Sequence, residues 1–474
     1  MLFSWKPDTS LKSPMYMQLA DYFRAKIKMG DLKNGTKLPG RETLMESLNV
    51  SKTTLISAFS QLQREGLLTS HPKSGYFINY NLENGRVNWN DYTRMARHKT
   101  SVYEYRHWGE SDGLTNFSLS SDFHMEKYLV DAMRGASERI SAGKTAPELT
   151  KYGLTSLRES IRKHLEKLGI KTKTENILIS SETIQRLFHV YESLLNANSN
   201  FLYENTNIIN TISNIHSIGM NMIPIKMDKH GMSAVELEKK LIKCKCCPIV
   251  HVDPTDQAPT GVVMSKRRRQ EIMNIIQKYR VPLVEIDHSS NIWHDRPALN
   301  PLKSIDRNDN IIYLGSLLKC HPYDFQLSWI VADRFIIEHL SNVFIQTGVK
   351  PNFTMQLLVD EMIRSGNIYK MTEDISNFIR SRKELTLALC EKHLKSRGFW
   401  IEKNCNFHFW LDFPDVNFKN IFSKRELITN IYPGYFFDKN DTSHILLCPA
   451  SIQEQDIEKT IIRLKDLVNE NYRG

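Results

Sequence analysis

From about residue 116 onward, short apolar runs alternate with longer stretches of helical spacing. Ile177-Leu178-Ile179, Pro248-Ile249-Val250-His251-Val252, Pro282-Leu283-Val284-Glu285-Ile286 and Ile311-Ile312-Tyr313-Leu314 read as buried strands. Helical stretches such as Lys266 to Tyr279 lie between them. This alternation predicts an α/β domain built on a mostly parallel sheet, because parallel neighbours are joined through crossover helices that cover the sheet faces. Residues 114–474 suffice for one large sheet domain and a smaller C-terminal α/β part. The hydrophobic fraction of 41% supplies enough apolar side chains for such cores and excludes a wholly disordered chain.

The first 80 residues follow a different pattern. Met17, Leu19, Ala20, Phe23 and Ile27 recur at helical spacing over Tyr16 to Met29, and Gly30 ends the run. A short second helix is expected over Arg41 to Leu48, opened by Leu38-Pro39-Gly40 and followed by a turn at Asn49-Val50. Ser51 is an N-cap for a third helix that runs to about Arg64 and buries Leu55, Ala58, Phe59 and Leu62. Leu67-Leu68-Thr69 and Tyr76-Phe77-Ile78 read as two strands around the basic turn His71-Pro72-Lys73-Ser74-Gly75. Two helices, a tight turn and a hairpin describe a winged helix-turn-helix. Its third helix can lie in a major groove, with Lys52, Thr53 and Thr54 on the turn nearest the DNA. Arg41, Ser51, Lys73 and Gly75 complete the expected DNA-binding set.

Charge agrees with that reading. The chain carries a formal +10, and residues 1–80 hold eleven Lys and Arg against six Asp and Glu, which is half the excess. Clustered positive charge is the footprint of a polyanion. No apolar run approaches the roughly 18 residues of a membrane span, and Lys6, Pro7 and Asp8 stand where a signal peptide needs an apolar stretch. Seven cysteines, an odd and sparse number, fit a reducing compartment. The expectation is a soluble cytoplasmic protein. Cys244, Cys246 and Cys247 have no second ligand pair nearby and read as a partly buried strand start rather than a metal site. Residues 81–113 are polar, charged and without strong periodicity, and read as a linker that lets the head reach across a dimer.

Several motifs carry a family resemblance. Gly30 to Pro39, Val50-Ser51-Lys52-Thr53-Thr54-Leu55, Leu62 to Leu68 and Lys73-Ser74-Gly75-Tyr76-Phe77 resemble the GntR-type winged helix in sequence and order. Two positions depart from it. Glu42 stands where that family usually has an Arg, with Arg41 adjacent, and Ile56 where it often has another. The operator is therefore expected to differ, or binding to be weaker.

Downstream, Asp253 to Ser265, Val284 to His288, Leu302 to Asp306, Tyr313-Leu314-Gly315 and Lys319 resemble fold-type I aminotransferases in the version found in MocR-type regulators. Lys151-Tyr152-Gly153 and Leu157-Arg158 resemble that group's upstream signatures. The resemblance implies three domains: a winged helix at 1–80, a linker at 81–113 and an aminotransferase-like body at 114–474. It also implies pyridoxal phosphate, with Lys319 as the Schiff-base residue and Ser316, Asp287 and His288 beside the cofactor.

The chemistry of that site departs from the family's. Ile286 stands where the partner of the pyridine nitrogen belongs, and Asp287, one step away on a strand, faces the other side. His288 replaces a Tyr, Gln326 an Arg that holds phosphate, and Leu318 a Ser. Glu182 brings negative charge to the phosphate turn, and Ile445 to Ala450 contains no Arg for a substrate carboxylate. The expectation is a body that keeps the fold, lacks catalytic residues and transaminase activity, and binds pyridoxal phosphate weakly or not at all. The function read from the whole is a DNA-binding transcription regulator. It would act as a homodimer on a double-stranded operator, with a small-molecule or protein effector and no membrane partner. Two alternatives stay open: an active pyridoxal-phosphate aminotransferase with a DNA-binding head, and a cofactor-free scaffold for a protein partner.

Overall fold

The computed structural model describes residues 3, 5–7, 13–71, 74–79, 119–143, 149–181, 183–207, 215, 218–244, 246–288, 299–316, 327–395, 400–401, 409–419 and 431–471. The linker expected at 81–113 lies outside them. The chain divides into two compact units, Met1–Met95 and Ala96–Gly474.

The first unit orders α1 (Met15–Lys28), α2 (Arg41–Leu48), α3 (Lys52–Arg64), β1 (Leu68–His71) and β2 (Gly75–Ile78). Asn49 adopts a left-handed conformation after α2, and the Val50 N–H returns to the Met45 carbonyl. This tight stop leaves Ser51 free to cap α3, whose Thr54 N–H it accepts at 3.2 Å. Phe23, Phe59 and Tyr76 meet edge to face in the core. Arg24 grips Glu65 through two bonds of 2.8 and 2.7 Å and ties α1 to the end of α3. The hairpin begins at Leu68 rather than Leu67 and takes in Ser70 and His71, and the Asn79 N–H bonds back to the Leu67 carbonyl at its open end.

The second unit opens with α4 (Glu126–Ser141), the short pair β3 (Leu149–Thr150) and β4 (Gly153–Leu154), and α5 (Thr155–Lys167). Next come β5 (Ile177–Ser180), α6 (Thr183–Leu194), β6 (Asn200–Glu204), β7 (Asn221–Ile225), the pair β8 (Met227–Asp228) and β9 (Gly231–Met232), and α7 (Ala234–Leu241). They are followed by β10 (Pro248–Val252), α8 (Lys266–Tyr279), β11 (Leu283–Asp287), β12 (Ile311–Ser316), β13 (Ser328–Val331), α9 (Arg334–Gln346) and α10 (Phe353–Arg364). The unit closes with α11 (Asn367–Leu394), β14 (Trp400–Ile401), β15 (Phe409–Asp412), β16 (Ile431–Pro433), β17 (His444–Leu447) and α12 (Glu454–Asn471).

The main sheet runs β5-β13-β12-β11-β10-β6-β7. Only β13 opposes its neighbours, so the sheet is mostly parallel as expected. One face packs on α4, α5, α7, α8 and α10 through residues such as Leu157, Ile161, Ile272, Ile276 and Leu357. The other packs on α6 and α9 through Val190, Tyr191, Ile337 and Leu340. Burial on both faces explains why these strands read as continuous apolar runs. The smaller sheet, β14-β15-β17-β16, is antiparallel and covered by α11 and α12. Ile457, Ile461, Leu464 and Val468 form the buried stripe of α12.

Two local expectations are corrected. Gly315 and Ser316 do not follow the fourth strand but belong to it, held by pairing with Trp329 and Ser328. The cysteines do not open a strand, since β10 begins at Pro248 with Cys246 and Cys247 exposed before it and only Cys244 half-buried. Among the described residues no group of side chains could hold a metal ion, and no helix is long and apolar enough to cross a membrane.

Candidate functional site

In the first unit the exposed start of α3 carries Lys52 and Thr53. Ser51 and Thr54 are coupled, with hydroxyls 2.8 Å apart, so both serve the cap as well as the surface. Arg41 lies at the start of α2, its guanidinium 5.6 Å from the Tyr76 ring centre and 3.3 Å from the Tyr76 hydroxyl. That contact joins the helix pair to the wing, and nothing in the sequence reading paired the two residues. Gly75 takes φ +98, a conformation that favours glycine, and opens β2. Lys37 bridges Phe77 and adds a cation at the wing that the site expectation had omitted. Lys73 lies outside the described residues.

In the second unit the candidate site lies at the ends of the central strands. Along β11 the side chains alternate. Val284 and Ile286 pack in the α6/α9 cluster. Glu285 accepts the Leu302 and Lys303 N–H groups at 2.6 and 2.8 Å. Asp287 accepts the Tyr313 hydroxyl at 2.8 Å. Burial, reinforced by Asp287, pushes the Glu285 carboxyl up to about 8 and the Tyr313 hydroxyl well above its ordinary value. His288 follows on the Ile286 side, and its Nδ1 sits 2.8 Å from the Ser316 hydroxyl. Ser316 pairs in register with Ser328, and Ser328 with Ser180. The Ser180 and Ser328 hydroxyls are 2.8 Å apart. A polar row thus crosses β11, β12, β13 and β5 at one level.

Two buried charges were not foreseen. Arg186, on α6, is wholly buried and donates through Nη1 to the Gly315 and Trp329 carbonyls at 2.9 and 3.1 Å. Its Nε and Nη2 find no acceptor among the described residues. Burial lowers this guanidinium to about 9. The available signal was an Arg four residues before Val190, on the stripe that must be buried. Glu204, at the end of β6, accepts the Asp253 N–H and an Asn207 amide, both at 3.2 Å. Burial and neighbouring Asp253 raise its carboxyl. The turn after β10 is fixed by Arg269, which donates to the Met264, Pro254 and Asn300 carbonyls. Lys319, Leu318, Gln326 and Glu182 lie outside the described residues, as do Trp293, His294 and His321.

Comparison with known proteins follows this geometry. Residues 15–78 match bacterial regulatory proteins of the gntR family, and residues 119–464 match aminotransferase class I and II. The chain belongs to the class I and II aminotransferase family. Unlike a bare aminotransferase, this member carries a gntR-type helix-turn-helix head, an architecture consistent with the MocR-type resemblance. Among curated proteins it is 26% identical to the uncharacterized HTH-type transcriptional regulator YdfD of Bacillus subtilis (strain 168), with 97% of each chain covered. It is 23% identical to the HTH-type transcriptional regulator NorG of Staphylococcus aureus (strain USA300), over 90% of this chain and 98% of that one. Among solved structures, kynurenine aminotransferase of Pyrococcus horikoshii, in complex with PMP, superposes with a TM-score of 0.68 at 21% identity. That match covers 82% of this chain and 97% of the other, and establishes the fold.

Of the residues expected around a pyridoxal ring, the structure describes Ile286, Asp287, His288 and Ser316. A ring acting as an electron sink needs a carboxylate at its nitrogen. Ile286, expected at the position of that carboxylate, is embedded in an apolar cluster. Asp287 is turned to Tyr313 on the opposite side. On the smaller sheet the stretch without Arg is also apolar, since Leu446 and Cys448 pack with Trp410 and Phe437.

Proposed function

We propose that this chain is a DNA-binding transcription regulator that acts as a cytoplasmic homodimer. The head reads an operator with α3 and the wing. The body provides dimerisation and senses a small-molecule or protein effector, without transaminase activity and with weak pyridoxal phosphate binding at most. The observation that carries the reading is the start of α3, a capped helix N-terminus with Lys52 and Thr53 exposed beside it. Free N–H groups and a cation at one helix end favour phosphate. Arg41, Ser51, Thr54, Lys73 and Gly75 complete the interface, Arg41 by bracing the wing. The arrangement of Ile286, Asp287 and Tyr313 supports loss of transamination.

The test of the head is fluorescence anisotropy on duplexes selected from a random pool by the full chain. Lys52→Ala weakens binding and reduces its salt slope by about one. Unchanged affinity in Lys52→Ala and in Thr53→Ala refutes α3 as the reading element. The test of the body is an absorbance spectrum with added pyridoxal phosphate. A stable visible band, lost in Lys319→Ala, overturns the reading of the cofactor site.

A further inference from the structure

The solvent face of α3 contains an apolar residue where polar ones are expected. Leu55, Ala58, Phe59 and Leu62 form the buried stripe. Lys52, Thr53, Ile56 and Ser60 fall together on the exposed side. Ile56 is 36% exposed, and among the described residues of α3 no other large apolar side chain is exposed. Burial elsewhere does not account for its presence at the middle of this face.

The side chains that usually read bases are absent or occupied here. No Arg, Asn, Asp or Glu stands on α3 before Arg64. The Gln61 amide donates to Glu65 at 2.7 Å, and the Gln63 amide to Ser70 at 3.0 Å. The Thr54 hydroxyl is held by Ser51. The exposed middle of the helix therefore offers the Ile56 side chain, flanked by the short side chains of Thr53 and Ser60, to whatever it meets. In the major groove the base feature that matches an aliphatic group is the C5-methyl of thymine.

We propose that Ile56 is a specificity-determining residue that reads a thymine methyl group in the major groove. The inference rests on α3 being the element that enters DNA, and it adds the kind of base recognised and the residue that recognises it. Lys52 and the helix N-terminus hold phosphate and give affinity without sequence. Ile56 gives preference, because a thymine methyl against it removes apolar surface from water while cytosine or guanine presents a polar edge there.

The experiment replaces thymine by uracil, which deletes the methyl group and leaves base pairing intact. Duplexes selected by the full chain are resynthesised with uracil at single thymine positions, and affinity is measured by anisotropy. At one thymine per half-site, uracil is expected to weaken the native chain about threefold to tenfold. Ile56→Ala is expected to bind the thymine duplex as weakly as the native chain binds the uracil one, and to be insensitive to the replacement. Ile56 is solvent-facing, so the variant keeps the head core, which its melting transition reports. Equal uracil penalties in the native chain and in Ile56→Ala overturn the proposal, as does a selected site in which no thymine responds. A chain that retains no duplex refutes the DNA-binding reading itself, and the inference with it.

Discussion

Arg186→Met should make the body more stable, although it deletes two hydrogen bonds. The native guanidinium is wholly buried, bonds only to the Gly315 and Trp329 carbonyls, and leaves Nε and Nη2 without acceptors among the described residues. Its proton affinity falls until the group titrates at about 9. Holding it charged at pH 7 therefore costs on the order of 4–5 kcal/mol relative to a solvated Arg. Two bonds from a cation to carbonyls return about 1.5–3 kcal/mol each, which offsets most of that cost. Met has a similar reach, carries no charge and fits the apolar surroundings of Leu187, Val190 and Tyr191. Charge and bonds thus come out close to even, and the packing of an apolar side chain decides the sign, for a gain of about 1–2 kcal/mol, as in apolar replacement of buried charges elsewhere. Scanning calorimetry of the full chain reads it as a rise of a few degrees in the body transition. Arg186→Lys serves as the contrast: it keeps a buried cation but loses the fork, and should melt lower than the native chain. Met destabilised by more than about 1 kcal/mol would refute the claim that this charge is uncompensated.

Other outcomes follow from the same geometry. Ser51→Asp keeps an N-cap for Thr54 and leaves head stability within about 0.5 kcal/mol of native, yet places a carboxylate against phosphate, so operator affinity falls while the melting curve does not. Gly315→Ala drives a Cβ into Trp329 Nε1 and to 2.8 Å from Tyr313 Cε1; both rings are fully buried, and denaturant unfolding should show a loss of at least about 2 kcal/mol. His251 is buried, and burial lowers it to about 3, so the unfolded chain takes up a proton that the folded one refuses. As pH falls from about 6.5 toward 3, the site contributes a loss of up to about 1.4 kcal/mol per pH unit. His251→Gln should remove that slope from a pH series of unfolding midpoints.

Local rules made much of the molecule legible. Period and punctuation placed α2, α3, β10 and α8 at the boundaries observed, because capping at Ser51 and Ser265 and the left-handed stops at Asn49 and Arg280 are local events. The alternation of Ile286 and Asp287 was legible for the same reason. What was not legible depends on partners far along the chain. Arg41 meets Tyr76 across 35 positions, and Arg186 finds its carbonyls on strands that follow it by 129 and 143 positions. Lys303 is buried against Asp306 and Asp309, a pairing that depends on how the loop after it closes. The strand also outran its apolar letters at Gly315-Ser316, since pairing to Trp329 and Ser328 continues where hydrophobicity stops.

The same alternation explains how the body keeps its fold with an apolar side chain at position 286, and why one substitution will not place a usable carboxylate there. Ile286 contributes to the cluster that packs β11 and β12 against α6 and α9, with Val284, Ile312 and Leu314 around it. A carboxylate at that position would face these aliphatic side chains with no free cation beside it among the described residues. Arg186, in the same layer, already spends its Nη1 on the Gly315 and Trp329 carbonyls. The two carboxylates within one residue are both held on the other side, Glu285 by the Leu302 and Lys303 N–H groups and Asp287 by Tyr313. Ile286→Asp should therefore lose at least about 3 kcal/mol through desolvation and lost packing. Added pyridoxal phosphate should not restore that loss, since the ring's other contacts are also changed at His288. Unfolding midpoints of native and Ile286→Asp chains, each with and without pyridoxal phosphate, measure both effects. A variant as stable as native, or one rescued specifically by the cofactor, would mean that the position still opens onto a ring-binding site and that the loss of transamination is a matter of one side chain.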